Sequence, residues 1–381
     1  MTTNRLLEIK QYGQSIWMDN LTRDLIQSGD LRRMVETEGV AGITSNPAIF
    51  QKAIAGNAIY DHDIEAGIRA GQSVMPIYES LIFDDIRQAC DILLPVHQQT
   101  DGLDGYVSIE VPPDIAHDAE ATVREAQRYC AAIDRPNVMI KIPGTAEGLT
   151  AVEAVIAAGI SVNVTLLFSV ESYINCAEAY LRGLEARVQR GEAINRIASV
   201  ASFFLSRIDS NIDAKIDEKL KGIDDANARE KLVAIKGKIA IANAKLAYRD
   251  YQALIASDRW QRLAAHGATV QRLLWASTGT KNPDYSDVMY VDELIGPDTV
   301  NTLPPNTLAA CADHCDPQNR LESGVPEAQT LIDSIADPDI DIQIDQVMAE
   351  LLDEGIDKFV EPFQSLIQSL QAKIDDLAPV A

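Results

Sequence analysis

The chain has 381 residues, 46% of them hydrophobic, and a formal charge of −24. It can bury a large core, and its charge argues against nucleic acid or an anionic membrane as a partner, since phosphate surfaces attract basic faces. No apolar run approaches the roughly 20 residues of a membrane span, the polar Met1–Lys10 predicts no secretory signal, and an odd number of cysteines, mostly widely spaced, reads as reduced thiols of a cytoplasmic protein.

Eight short β-type runs follow one another: Ser15–Asp19, Val40–Asn46, Gly105–Val111, Val138–Pro143, Val162–Leu167, Ala198–Phe204, Leu273–Thr278 and Thr299–Leu303. Several are continuously apolar, as parallel strands buried on both faces are. Helical patterns separate them, at Leu21–Glu38, Ala146–Ala158 and Ser172–Gln189. Residues 47–104 must hold further helices, and Asp213–Ile255 reads as one or two long solvated helices. The alternation predicts an α/β fold, a closed (β/α)8 TIM barrel with extra helices in long insertions and at the C-terminus. One domain is expected to span residues 1–381. Its C-terminal helices, at about 324–376, comprise Pro326–Ile335 and Gln346–Ile374, joined by the acidic Asp337–Asp345, with Pro362 placed to kink or split the second.

In such a barrel the functional residues lie at the C-terminal ends of the strands. The first strand ends in Asp19, and the second in Thr44-Ser45-Asn46-Pro47. Glu110 lies in the third, Lys141 in the fourth, Asn163 and Thr165 in the fifth. The sixth ends Ser202-Phe203-Phe204, with Arg207 beyond, and the seventh ends Ser277-Thr278-Gly279-Thr280-Lys281. Lys141 is the most informative, because it places an amine inside an apolar strand. Desolvation there favours free amine, the nucleophile that forms a Schiff base with a carbonyl. Each position has a plainer reading. Lys141 could snorkel from a strand end. Asp19 could cap the next helix, and Thr44-Ser45-Asn46 could be turn chemistry before a proline. Glu110 could be a surface carboxylate on an edge strand, and Thr165 suits any strand. Together they would set an amine, two carboxylates and several hydroxyl and amide groups around one pocket, with Arg207 and Lys281 as a cationic anchor at its rim. Cys311-Ala312-Asp313-His314-Cys315 invites a metal reading, but a structural zinc site wants a further ligand pair that the sequence lacks.

Three segments resemble the transaldolases: Gly42-Ile43-Thr44-Ser45-Asn46-Pro47-Ala48, the run from Met139 to Leu149 around Lys141, and Asn163-Val164-Thr165-Leu166-Leu167-Phe168-Ser169. The resemblance runs in order from about Ser15 to about Pro304, and the long insertions suit the longer bacterial branch. It implies that Lys141 forms the imine and that Asp19 is the general acid/base on the C4 hydroxyl. Glu110 would act through a water that Thr165 helps hold. Thr44, Asn46, Asn163, Ser202 and Phe204 would line the substrate, while Arg207 and Ser277 would bind its phosphate. The shorter branch has an arginine where this chain has Gly279, so Lys281, the nearest cation, takes the second phosphate contact. Phe204 and Glu110 favour a transferase over the related fructose 6-phosphate aldolases, which tend to Tyr and Gln there.

The implied reaction belongs to the pentose phosphate pathway. A dihydroxyacetone unit passes from sedoheptulose 7-phosphate to glyceraldehyde 3-phosphate, giving erythrose 4-phosphate and fructose 6-phosphate. No cofactor or metal is expected, because the iminium replaces the Lewis acid. Sugar phosphates are the expected partners, with no nucleic acid and no membrane, for a chain acting as a monomer or a homodimer. The alternatives are a class I aldolase resembling the fructose 6-phosphate aldolases and a non-catalytic sugar-phosphate-binding barrel.

Overall fold

The computed structural model describes residues 4–377. Its strands are β1 (Gln14–Asp19), β2 (Val40–Thr44), β3 (Val107–Glu110), β4 (Val138–Pro143), β5 (Val162–Leu167), β6 (Ser199–Phe204), β7 (Arg272–Ala276) and β8 (Thr299–Leu303). They pair in parallel, each with the next, and β8 returns to β1, so the barrel closes. The eight-fold alternation is the expected one. β4, β5 and β8 keep the bounds read from the sequence. The others differ by a few residues, because Asn46 and the Ser277–Lys281 segment leave the ladder to begin the following loops or helices.

Larger differences lie in the helices. Leu21–Glu38 is broken into Arg23–Gln27, Asp30–Arg33 and Met34–Glu38, with Gly29 at φ +83° between the first two. Asp213–Ile255 is not solvated throughout. Helices Ser206–Leu220, Ala226–Ile235 and Ile239–Ile255 cover that region, and the last buries residues on several faces, Lys245 and Asn243 among them. Buried Asp209 and Asp213 accept from the backbone N–H groups of Ala240 and Gly237, so part of the charge run caps the last helix from inside the fold. Pro362 does not split the C-terminal helix, which is continuous over Ile344–Leu377. The five cysteines are free thiols. His314 turns away from buried Cys311 and Cys315 to bond Asp287 and Asp313 at the surface, so this run does not converge on one point.

The N-terminal end of the barrel is plugged. Asp104 accepts from Trp17 Nε1 at 3.0 Å, from Ser15 Oγ at 2.6 Å and from Arg272 at 2.9 Å, all on buried or nearly buried groups. Breaking such a buried pair typically costs about 3–5 kcal/mol, because one charge is left uncompensated. The site therefore opens at the C-terminal mouth.

Candidate active site

The signature around Lys141 has a packing logic. Thr145 caps the helix Ala146–Ala157 by accepting from Gly148 N at 2.9 Å, and its hydroxyl donates to Ala116 O. A side chain at Gly148 would meet Pro143 O at 2.0 Å, and one at Gly144 would meet Leu167 at 2.5 Å. Both glycines thus let the end of β4 lie tightly against its helix and against β5. The second signature is a helix start. Asn46 Oδ1 accepts from Ile49 N at 3.0 Å with Pro47 in the first helical position.

Register does the rest. In the ladders Glu110 stands beside Lys141, Lys141 beside Asn163, and Asp19 beside Thr44. In-register neighbours of a parallel sheet share a face, so these groups enter the barrel together. Lys141 is 5% exposed and does not snorkel. Its Nζ donates to Ser45 O at 3.1 Å and stands 3.8 Å from Glu110 Oε2. Glu110 is no edge residue in a closed barrel, and its carboxylate oxygens have no hydrogen-bond partner among the described residues; nor does the hydroxyl of Thr165. Burial pushes the Glu110 carboxyl up to about 7, against the pull of Lys141. Burial also raises Asp19, although Lys141, the Thr44 hydrogen bond, Arg207 and Lys281 oppose it. Asp19 caps no helix; Thr22 does that, while Asp19 accepts from Thr44 Oγ1 at 2.7 Å.

A cavity of about 510 Å³ opens above this floor. Asp19, Thr44, Asn46, Lys141, Thr165, Ser202, Phe204, Arg207, Ser277 and Lys281 line it. Glu110 and Asn163 lie just beneath: Asn163 accepts from Ser202 Oγ at 2.7 Å and donates to Ser108 Oγ, so it positions Ser202 from below. Arg207 lies over the Phe204 ring at 5.2 Å, and burial lowers its guanidinium against the pull of Glu110 and Glu354. Ser277, at φ +55°, meets Ser206 hydroxyl to hydroxyl at 2.8 Å. The Lys281 amine reaches back to within 3.8 Å of the point where a Cβ on Gly279 would stand. Lysine at 281 thus brings its charge to the place that a side chain at 279 would begin to fill.

Sequence reasoning missed several groups at this cavity, four of them bearing on its chemistry. Thr302 shares a 2.7 Å hydroxyl contact with Thr44, and the strand-end rule applied to β8 would have found it. Asn20 follows Asp19 directly. Lys52 and Phe359 come from helices, one within residues 47–104 and one at the C-terminus, to which the sequence assigned no part in the site.

A buried lysine amine between carboxylates, at the mouth of a (β/α)8 barrel and beneath cations, defines a class: barrels equipped to carry an anionic carbonyl substrate as an imine. Residues 16–370 match the family model described as transaldolase/fructose-6-phosphate aldolase. The chain is 69% identical over 381 residues to transaldolase 2 of Nostoc punctiforme, with the whole of both chains covered. It is 66% identical over 380 residues to the transaldolase of Trichodesmium erythraeum, again over all of both. To that of Saccharopolyspora erythraea it is 47% identical over 377 residues, 98% of this chain and 99% of the relative. The chain belongs to the transaldolase/fructose-6-phosphate aldolase family.

Proposed function

We propose that this protein is a transaldolase of the pentose phosphate pathway, acting in the cytoplasm on sedoheptulose 7-phosphate and glyceraldehyde 3-phosphate. The observation that carries the reading is the Lys141 amine, buried 3.8 Å from Glu110 in the cavity that Asp19, Arg207 and Lys281 also line. The full-length relatives named transaldolase support the transferase over the aldolase.

Lys141 Nζ attacks the C2 ketone, and the carbinolamine loses water to give an iminium. Glu110 and the Thr165 hydroxyl, both without hydrogen-bond partners among the described residues, are free to handle that water. Burial keeps the Glu110 carboxyl near neutrality, where it can both give and take a proton. Asp19 then removes the C4 hydroxyl proton, the C3–C4 pair flows into the iminium, and an aldose phosphate leaves. The dihydroxyacetone enamine stays on Lys141 until a second aldose phosphate takes it. Arg207, with Lys281, holds the phosphate, and Ser202, Asn163 and Asn46 orient the hydroxyls.

Borohydride trapping with fructose 6-phosphate tests this. A three-carbon adduct should map to the Lys141 peptide, and Lys141→Arg should yield neither adduct nor transfer, because guanidinium stays protonated. An adduct on another lysine, or none, would overturn the assignment.

A further inference from the structure

The helix Ile344–Leu377 lies over the barrel mouth, packed on helices Pro47–Ile54, Val74–Gln99 and Ser206–Leu220 and on the end of β5. It brings Phe359 into the cavity wall, 6% exposed, with Lys141 Nζ 5.8 Å over the ring centroid. Neighbouring turns fix that ring. A Cβ on Gly355 would stand 2.9 Å from Leu166 Cδ2 and 3.5 Å from Arg207 Nη1, so the helix backbone rests on β5 and on the anchor arginine. Leu166 meets it from a backbone at φ +60°, where the pairing of β5 with β6 slips. One turn beyond Phe359, Phe363 meets Tyr78 edge-on at 5.7 Å. The ring is thus seated on the catalytic floor by a glycine on one side and an aromatic pair on the other.

Resting on the Schiff-base reading above, we propose that Phe359 makes the half-reaction wait for its acceptor. Its ring face covers the imine nitrogen, and its bulk keeps water from the enamine carbon. The iminium is a cation in a dry site, where a ring face stabilises it most. The enamine is neutral, and its loss needs water twice. Its C3 takes back, through water, the proton that Asp19 removed; one further water then adds at C2 of the iminium, and Lys141 leaves as amine. The balance is fructose 6-phosphate to dihydroxyacetone and glyceraldehyde 3-phosphate, with no redox change. Phe359 stands on the route of both waters, so it sets the partition between transfer and this leak.

The test uses the full chain with fructose 6-phosphate, with and without erythrose 4-phosphate as acceptor. Free dihydroxyacetone is measured by NADH-linked reduction, and borohydride trapping is run beside it. Phe359→Ala should raise the ratio of release to transfer about tenfold while still trapping on Lys141. Phe359→Leu, which fills the wall without a ring face, should keep that ratio near wild type but lower the trapped fraction severalfold. A wild-type ratio in Phe359→Ala overturns the shielding role, and a wild-type trapped fraction in Phe359→Leu overturns the ring-face role. If Phe359→Ala does not fold, the leucine variant decides the ring-face role, and Phe359→Val, smaller again, decides the shielding by the same ratio. If the wild-type protein itself traps nothing, the Schiff-base reading is what falls.

Discussion

Replacing Glu110 by glutamine removes a titrating group beside Lys141 while keeping its shape. Burial raises this carboxyl from its ordinary 4.5 to about 7, despite Lys141 at 3.8 Å. The native state therefore holds the proton more tightly than the unfolded chain does. The stability this gives is fully present below about pH 4.5 and is lost as the pH rises through about 7. That displacement is worth about 3 kcal/mol across the window. Glu110→Gln has no such loss, so its unfolding free energy minus that of the wild type should grow by about 3 kcal/mol from about pH 4.5 to about pH 8. Urea unfolding of both proteins at matched pH reads this, and taking the difference cancels the titration of the shared groups that lie far from Glu110. A difference that is flat, or that shrinks as the pH rises, would refute the reasoning. Lys141 would then be holding Glu110 ionised, and Coulomb attraction, not desolvation, would rule the floor of the site.

Asp19→Ala should still trap fructose 6-phosphate on Lys141 but cleave it about 10²–10⁴-fold more slowly, as expected for loss of a general base; cleavage at the wild-type rate would remove Asp19 from that role. Arg207→Ala should raise KM for fructose 6-phosphate about tenfold or more, through loss of a bidentate charged contact. Lys281→Ala should raise it about threefold, as befits a more exposed point charge. Neither variant should impair unphosphorylated dihydroxyacetone donors, and phosphorylated-substrate kinetics untouched by Lys281→Ala would make that lysine an ordinary loop residue.

The floor of the site was legible because strands have a simple rule. A polar residue at the end of a continuously apolar parallel strand can face only the helices or the barrel interior, and register then brings its neighbours to the same level. Asp19, Glu110, Lys141 and Thr165 follow from that rule together with the family motifs. Thr302 obeyed it too, but it lies on β8, the one strand whose end was not read by that rule. The roof was not legible. Phe359 falls in a run with Val347, Leu351, Leu366 and Leu370, all buried, and helical periodicity says only that such a face is covered. What it covers is set by long-range packing, here the meeting of Gly355 with Leu166. The helices of residues 206–255 misled for a related reason. A charge on a helix is ordinarily solvated, yet Asp209, Asp213 and Lys245 are buried against backbone groups and tyrosine hydroxyls that no local pattern announces.

Floor and roof also divide the chemistry. In the proposed mechanism the amine and carboxylates of the floor make and break the C3–C4 bond, so the same floor would serve either activity in the family's double name, transaldolase or fructose-6-phosphate aldolase. The difference lies in whether the enamine meets an aldose or a proton first. The barrel is plugged below by Arg272 and Asp104, and its cavity lies at the other end, at the mouth, where the C-terminal helix contributes Phe359 to the wall. Arg207, Lys281 and Lys52 line that mouth in a chain of charge −24, so the local field there favours an anion over its neutral competitors. In the proposed mechanism a phosphorylated acceptor is drawn to the place where the departing aldose phosphate was held, and its aldehyde then reaches the enamine carbon. Water has no such attraction and must pass Phe359. On the proposed reading, selection of the acceptor follows from charge at the rim combined with an apolar lid at the centre.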